Sequence, residues 1–166
     1  WVNGDFNQLK IYVDCPGNYD AWDILPNYSE KEIAVNVVKP VTRVESDGEC
    51  ATFSVTLSTE KSTWEMKIRF FRRGRVIEVE NNVNWNEKHK LAKAEFQCNI
   101  LTRKALCDTS AGFIERETHR NTTWQQARFE TCHHKWCDMS ESGGGIALIN
   151  DGKYGVGFLE NSMSLS

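Results

Sequence analysis

Ala51-Thr52-Phe53-Ser54-Val55-Thr56-Leu57-Ser58 and, a few residues on, Trp64-Glu65-Met66-Lys67-Ile68-Arg69-Phe70 decide the class of this fold. Apolar and polar side chains alternate in both, so an extended strand buries one face and leaves the other polar, a period no helix shares. Ile33, Val35 and Val37 repeat the pattern upstream, as do Ile77 and Val79 between Glu78 and Glu80 downstream. Further strands are expected at residues 10–13, 91–96, 112–117, 127–134, 146–149 and 154–158. Turn chemistry such as Ser46-Asp47-Gly48 and Arg72-Arg73-Gly74 separates them. Only residues 28–34 and 87–94 offer a helical alternative, and neither carries an apolar stripe. Strand after strand without long helices predicts an all-β fold, a twisted antiparallel β-sandwich in a single domain over residues 1–166. Ser140-Glu141-Ser142-Gly143-Gly144-Gly145 reads as a flexible loop between strands.

The chain has 166 residues, with 20 Lys+Arg against 23 Asp+Glu and a net charge of −3. That balance argues against nucleic acid as a partner, which calls for a basic excess or stripe. The one dense basic cluster, residues 69–75, is interrupted by Phe70, Phe71 and Gly74. No apolar run approaches the ~20 residues that span a bilayer, so no membrane partner is expected. No basic region followed by an apolar core opens the chain. It begins at Trp1 and ends in Met163-Ser164-Leu165-Ser166, and a truncated piece of something larger is the expectation. The six cysteines fit free thiols of a cytoplasmic protein better than a disulfide framework, which this much apolar sequence does not need. On that reading the sequons at Asn27 and Asn121 carry no consequence.

Three segments concentrate chemistry. Cys132-His133-His134-Lys135-Trp136-Cys137 holds residue types that zinc prefers, but on a strand Cys132 and His134 face away from His133 and Cys137, so four ligands do not converge. Tyr19-Asp20-Ala21-Trp22-Asp23 sets two carboxylates around a large ring. Carboxylates accept hydrogen bonds from sugar hydroxyls, and a flat aromatic covers the apolar face of a pyranose. The competing reading is a local turn with Trp22 plugging the core. Thr118-His119-Arg120-Asn121-Thr122-Thr123-Trp124 packs imidazole, guanidinium, amide and hydroxyls together, either to bind an anion or polyol or to tie two loops. No Gly-x-Ser-x-Gly nucleophile elbow exists, and Gly143-Gly144-Gly145 lacks the Lys-Ser or Lys-Thr of a phosphate loop.

Taken together, these segments resemble the C-terminal region of glycoside hydrolase family 38, the α-mannosidases, most closely the cytosolic/vacuolar and bacterial branch. The resemblance rests on Tyr19-Asp20-Ala21-Trp22-Asp23-Ile24, Trp85-Asn86-Glu87-Lys88-His89-Lys90-Leu91 and Lys93-Ala94-Glu95-Phe96. It continues through Thr118-His119-Arg120-Asn121-Thr122 with Trp124, then Ala127-Arg128-Phe129-Glu130. It closes on His134-Lys135-Trp136 and Ala147-Leu148-Ile149-Asn150-Asp151 with Lys153-Tyr154-Gly155. The blocks follow family order from Tyr19 onward. The family often has a Tyr between glycines where this chain has Gly143-Gly144-Gly145, so no role of that ring carries over.

The resemblance implies a galactose mutarotase-like supersandwich and a parent enzyme that is a zinc-dependent retaining exo-α-mannosidase. There a carboxylate attacks the anomeric carbon and an acid/base assists, while zinc holds the nucleophile and sugar hydroxyls. Those ligands and the nucleophile lie in the family's N-terminal domain, and nothing here matches their motifs. No catalytic residue and no metal ligand is therefore assigned, and no cofactor is expected in this fragment. The resemblance and the motif density together nominate Asp20, Trp22, Asp23, His119, Arg120 and Asn121 as substrate-binding residues that complete the active-site wall. The partners implied are an α-mannoside or oligosaccharide and the N-terminal catalytic domain of the same chain, and a homo-oligomer of the parent is left open. A catalytically silent domain should expose an apolar patch where the other domain docks. Two alternatives stay open: a free-standing carbohydrate-binding module built on Trp22, and a mutarotase-like sugar epimerase with His and Glu as acid and base.

Overall fold

The computed structural model describes residues 2–20 and 22–166, with side chains from Phe6 onward; Trp1 and Ala21 lie outside the described residues. Fourteen strands follow one another: β1 (Val2–Val13), β2 (Glu32–Ile33), β3 (Asn36–Ser46), β4 (Cys50–Ser58), β5 (Thr63–Phe71), β6 (Ile77–Asn84) and β7 (Lys90–Cys98) come first. Then come β8 (Lys104–Thr109), β9 (Gly112–Glu117), the short helix α1 (Thr123–Ala127), β10 (Thr131–Cys132), β11 (Trp136–Glu141), β12 (Gly144–Ile149), β13 (Gly155–Leu159) and β14 (Ser162–Leu165). They build three antiparallel sheets, ordered β10-β13-β14-β7-β1-β2, β12-β11-β8-β9 and β3-β4-β5-β6. The expected all-β, antiparallel class is what the chain adopts.

The core lies between the first two sheets. Cys98, Ile100, Val156, Phe158 and Met163 from one side meet Ala105, Cys107, Cys137 and Met139 from the other, and all are buried. Burying each large apolar side chain in this set stabilises the fold by ~1.5–3 kcal/mol. Strand periodicity divides the six-stranded sheet sharply. Its inner face carries Ile11, Phe96, Met163, Val156 and Phe158, whereas its other face carries Tyr12, Lys93, Glu95, Ser164, Gly155 and Gly157. That second face is polar yet largely covered, since the Lys93 side chain is fully buried beneath Tyr28 and Glu130.

The third sheet stands apart, because its inner residues join no part of that core. Registers Val37↔Leu57↔Trp64↔Val83 and Phe53↔Ile68↔Val79 put its apolar residues on one face. Val37, Phe70, Ile77 and Val83 on that face are exposed, as is every residue of β3. Met66 on the same face is buried, while these side chains form an exposed apolar patch.

Hydrogen bonds at Asn7 and at Glu87 are among those that bind this sheet to the rest. The buried Asn7 amide donates to Met66 Sδ at 3.1 Å. Glu87, ahead of β7, accepts from Lys90 Nζ at 2.6 Å, from Thr59 Oγ1 at 2.6 Å and from the Lys61 amide at 3.1 Å. Its hydrogen bond with Lys90 and then that with Thr59 pull its carboxyl down to about 2, below the ordinary ~4.3. A carboxylate depressed in the folded state stabilises above its unfolded pKa and loses that contribution as pH falls through its folded one. Melting temperature should therefore drop between about pH 4.3 and pH 2. In Glu87→Gln the melting curve should be lower at neutral pH and flatter across that window, which a pH series of thermal melts checks.

Where the chain departs from the sequence expectation, the reasons are local. Residues 127–134, expected as a strand, instead hold the end of α1 and only the two-residue β10. The Thr122 hydroxyl accepts from the Gln125 amide while Gln125 Oε1 accepts from the Thr122 amide, a capping box that nucleates a helix. Of the two helical alternatives, residues 28–34 hold a single 3₁₀ turn (Tyr28–Glu30) and residues 90 onward are β7. β1 is longer than expected, with two irregularities around Phe6 and a left-handed Asn7 at φ 58°. The expected strand around Ile33–Val37 breaks between β2 and β3. The glycine-rich segment is the two-residue turn between β11 and β12. A Cβ at Gly145 would sit 2.1 Å from Ser140 Oγ and 2.9 Å from the Met139 carbonyl oxygen, so only glycine fits opposite Ser140.

Candidate functional site

The six nominated residues fall into three groups. The first is the loop after β1. The Asp14 carboxylate accepts from the Leu25 amide at 2.9 Å, and the Asp14 amide donates to the His89 carbonyl at 3.0 Å, pinning both loop ends to the start of β7. Within it, the amides of Trp22 and Asp23 both donate to the Tyr19 carbonyl at 2.9 Å. Asp20 meets His89, Nδ1 to Oδ2 at 2.7 Å. Tyr19 and His89 are both left-handed, at φ 58° and 55°. Non-glycine residues there cost ~1–3 kcal/mol each and persist where the surroundings impose them. Asp23 accepts from the next amide, Ile24, at 3.1 Å. Trp22 is 90% exposed and Tyr19 78% exposed, so the ring does not plug the core. Ala21, between them, lies outside the described residues.

The second group is His119 with Asn121. They line a cleft of about 410 Å³ with Thr102 and Arg103 of the β7–β8 loop, Thr118, and Glu160 of the β13–β14 turn. Thr118 is fully buried at its base, its amide donating to the Arg103 carbonyl at 3.2 Å and its hydroxyl to the Thr102 carbonyl.

Arg120 belongs to the third group. Its guanidinium donates to the Phe129 carbonyl at 3.2 Å, fixing the segment that carries Glu130 over the polar sheet face. There Lys93 Nζ pairs with Glu130, which also accepts from Tyr28 Oη at 3.3 Å and Ser166 Oγ at 3.2 Å. The Lys93 ammonium lies 5.2 Å from the centre of the Tyr28 ring, and Tyr12 Oη donates to Glu95 at 2.7 Å. Burial, set against the nearby Glu130, holds the Lys93 ammonium below its ordinary pKa, and burial pushes both phenols up. Arg120 therefore ties segments together, one of the two roles open to its motif.

The cysteine–histidine segment is structural. His133 is fully buried, its Nε2 lies 2.6 Å from the Asn150 amide nitrogen, and burial lowers its pKa. Burial pushes the Cys107 and Cys137 thiols up to about 11 and about 12, which keeps them protonated and poor metal ligands. Cys132 is exposed on the other side. Among the described residues no three His, Cys, Asp or Glu side chains converge as a metal group. All six cysteines are free.

Sequence reasoning missed His89, Arg103, Glu160, Lys93 and Glu130. His89, Lys93 and Glu130 stand in segments that carry the resemblance, but nothing local signals that His89 meets a loop some seventy residues earlier.

Comparison with known proteins fits this picture. Residues 2–166 match the family model described as glycosyl hydrolases family 38 C-terminal domain. Alpha-mannosidase 2C1 of Homo sapiens is 32% identical over 163 residues, covering 96% of this chain and 16% of that protein. Alpha-mannosidase G of Dictyostelium discoideum is 37% identical over 170 residues, covering 96% of this chain and 15% of that protein. An alpha-mannosidase of Saccharomyces cerevisiae is 32% identical over 168 residues, covering 96% of this chain and 16% of that protein. Among solved structures, an alpha-mannosidase from Enterococcus faecalis V583 superposes with a TM-score of 0.77 at 10% identity, over 96% of this chain and 21% of that one, a likeness of fold. The chain spans about 16% of the length of the curated relatives it matches. No helix among the described residues is long and apolar enough to cross a membrane.

Proposed function

The chain belongs to the C-terminal domains of glycosyl hydrolase family 38, and on that premise we propose that it is the non-catalytic sandwich domain of a longer, zinc-dependent retaining exo-α-mannosidase. In this reading the zinc and the nucleophile are held by the other domain, and the present chain packs on that domain and completes the wall of its site. The substrate is a terminal α-linked mannose of an oligosaccharide, and the enzyme works in the cytoplasm.

The observation that carries the reading is the loop after β1. Two chain segments are clamped by Asp20–His89, with strained backbone on both sides of the clamp, to hold an exposed Trp22 and Tyr19 out from the fold. Rigid loops bearing exposed aromatics and carboxylates are what sugar rings bind. The uncovered apolar face of the third sheet supports docking to a further domain. The binding-module alternative would use the same Trp22.

In the full-length mannosidase, Trp22→Ala should raise KM for an aryl α-mannoside about tenfold, the loss of one stacking contact, and leave kcat within about twofold. Steady-state kinetics check this. An unchanged kcat/KM would remove the loop from the substrate wall.

A further inference from the structure

We propose that the cleft between Arg103, His119, Asn121 and Glu160 is a second sugar-binding site, taking one neutral hexose ring through hydrogen bonds alone. The inference rests on the mannosidase reading for its choice of sugar and goes beyond it in placing a site away from the Trp22 loop. Three separate connections supply the four groups: β7–β8, β9–α1 and the β13–β14 turn. Each wall is anchored. The Thr102 hydroxyl donates to the Lys104 carbonyl at 3.0 Å, the buried Thr118 ties its strand end to Arg103, and the Asn161 carbonyl accepts from the Cys98 amide at 2.9 Å.

What such a rigid cleft leaves unused identifies its ligand. The side chains of Arg103, His119, Asn121 and Glu160 make no hydrogen bond or ion pair with any described residue, and His119 Nδ1 is buried without a partner. Arg103 and Glu160 line the same cleft with opposite charge and still do not pair with each other. A free anion would meet the Glu160 carboxylate and a free cation the Arg103 guanidinium. A polyol meets both, its oxygens accepting from Arg103 and its hydroxyls donating to Glu160, while His119 and Asn121 each offer a donor and an acceptor. The cleft, about 410 Å³, lies at the small end of the ~300–1,000 Å³ typical of small-molecule sites, enough for one ring. No Phe, Tyr or Trp lines it, and Leu101 is its one aliphatic residue, so recognition is by the hydroxyl edge rather than by stacking on a large ring.

The test is an NMR titration of the 166-residue chain with methyl α-mannoside, reading the imidazole signals of His119 and, separately, the indole signal of Trp22. Saturable His119 shifts are expected, with Kd on the order of 1–10 mM. Arg103→Ala and Glu160→Gln, both at exposed positions, should each weaken binding about tenfold, the loss of one charged hydrogen bond. Trp22→Ala should leave the His119 titration unchanged. Absence of saturation at His119, or saturation indifferent to both variants, would overturn the proposal. So would saturation by glycine but not by the mannoside, which would mark a zwitterion site. If Trp22 shifts while His119 does not, the cleft falls and the mannosidase reading stands. If the cleft binds while Trp22→Ala leaves full-length kinetics untouched, the reverse holds.

Discussion

Glu130→Gln should cost about 3–5 kcal/mol of folding stability, the loss reported when one partner of a buried ion pair is removed. The Lys93 side chain is fully buried and Glu130 only 13% exposed, so water does not reach in to solvate the ammonium left behind. Glutamine keeps a single acceptor oxygen, enough for Tyr28 but not also for Ser166 on the opposite atom, and it offers Lys93 a carbonyl dipole in place of a charge. The space admits little rearrangement. A Cβ on Gly157 would lie 3.1 Å from Glu130 Oε1, 2.9 Å from Ser164 Oγ and 3.1 Å from the Phe129 carbonyl oxygen, which is why β13 carries glycine beneath this pair. Against a typical total of ~5–15 kcal/mol, the loss places the variant close to unfolding at room temperature. The double change Lys93→Met with Glu130→Gln should recover most of it, because no buried charge then lacks a partner. Urea unfolding of the single and double variants measures both. A single-variant loss under about 1 kcal/mol would mean the pair is solvated.

Met139→Ala should cost about 2–5 kcal/mol by a different mechanism. Met139 is fully buried in β11 at the centre of the core, opposite Ala105 on β8 and Ile146 on β12, and it packs among Cys107, Phe158 and Met163. Truncation opens a cavity that three hydrogen-bonded strands cannot collapse into. Met139→Leu, nearly equal in volume, should cost under ~1.5 kcal/mol. In urea, Met139→Ala should shift the midpoint with an unchanged m-value. The two variants probe the two layers of the molecule, the apolar interior and the polar sheet face on its far side.

The strands were legible where both faces of the pattern were chemically plain. In β4 and β5, phenylalanine, valine, leucine and isoleucine alternate with threonine, serine and lysine, and the structure pairs the two strands throughout. In β8 and β11 the buried positions are Ala105, Cys107, Cys137 and Met139, whose weak apolar signal hides the alternation. β3 runs to Ser46 as an exposed edge strand with Pro40 and three register shifts, so its valines follow no period of two. In β7, Lys93 and Glu95 read as a solvent face, yet loops distant in sequence cover them. α1 was not read from the sequence, where strand-like residues 127–134 outweighed the capping box of Thr122 and Gln125 that nucleates it.

The candidate site was legible as residue types and not as partners. Asp20 and Trp22 stand on an exposed, clamped loop, as a binding segment should, but the clamp itself comes from His89 across the sheet. His119-Arg120-Asn121 reads as one polar cluster in the sequence, and the structure divides it between an open cleft and a tie to the Phe129 carbonyl. Local sequence carries the direction of a side chain; what it meets is set by chain segments far away.

The central claim, that this chain supplies walls and not the chemistry of an α-mannosidase, is tested most directly by assaying the 166-residue chain with an aryl α-mannoside in the presence of zinc. The account predicts release no faster than in buffer, because it places the zinc and the nucleophile in the other domain. Zinc-dependent turnover by the chain alone would contradict it.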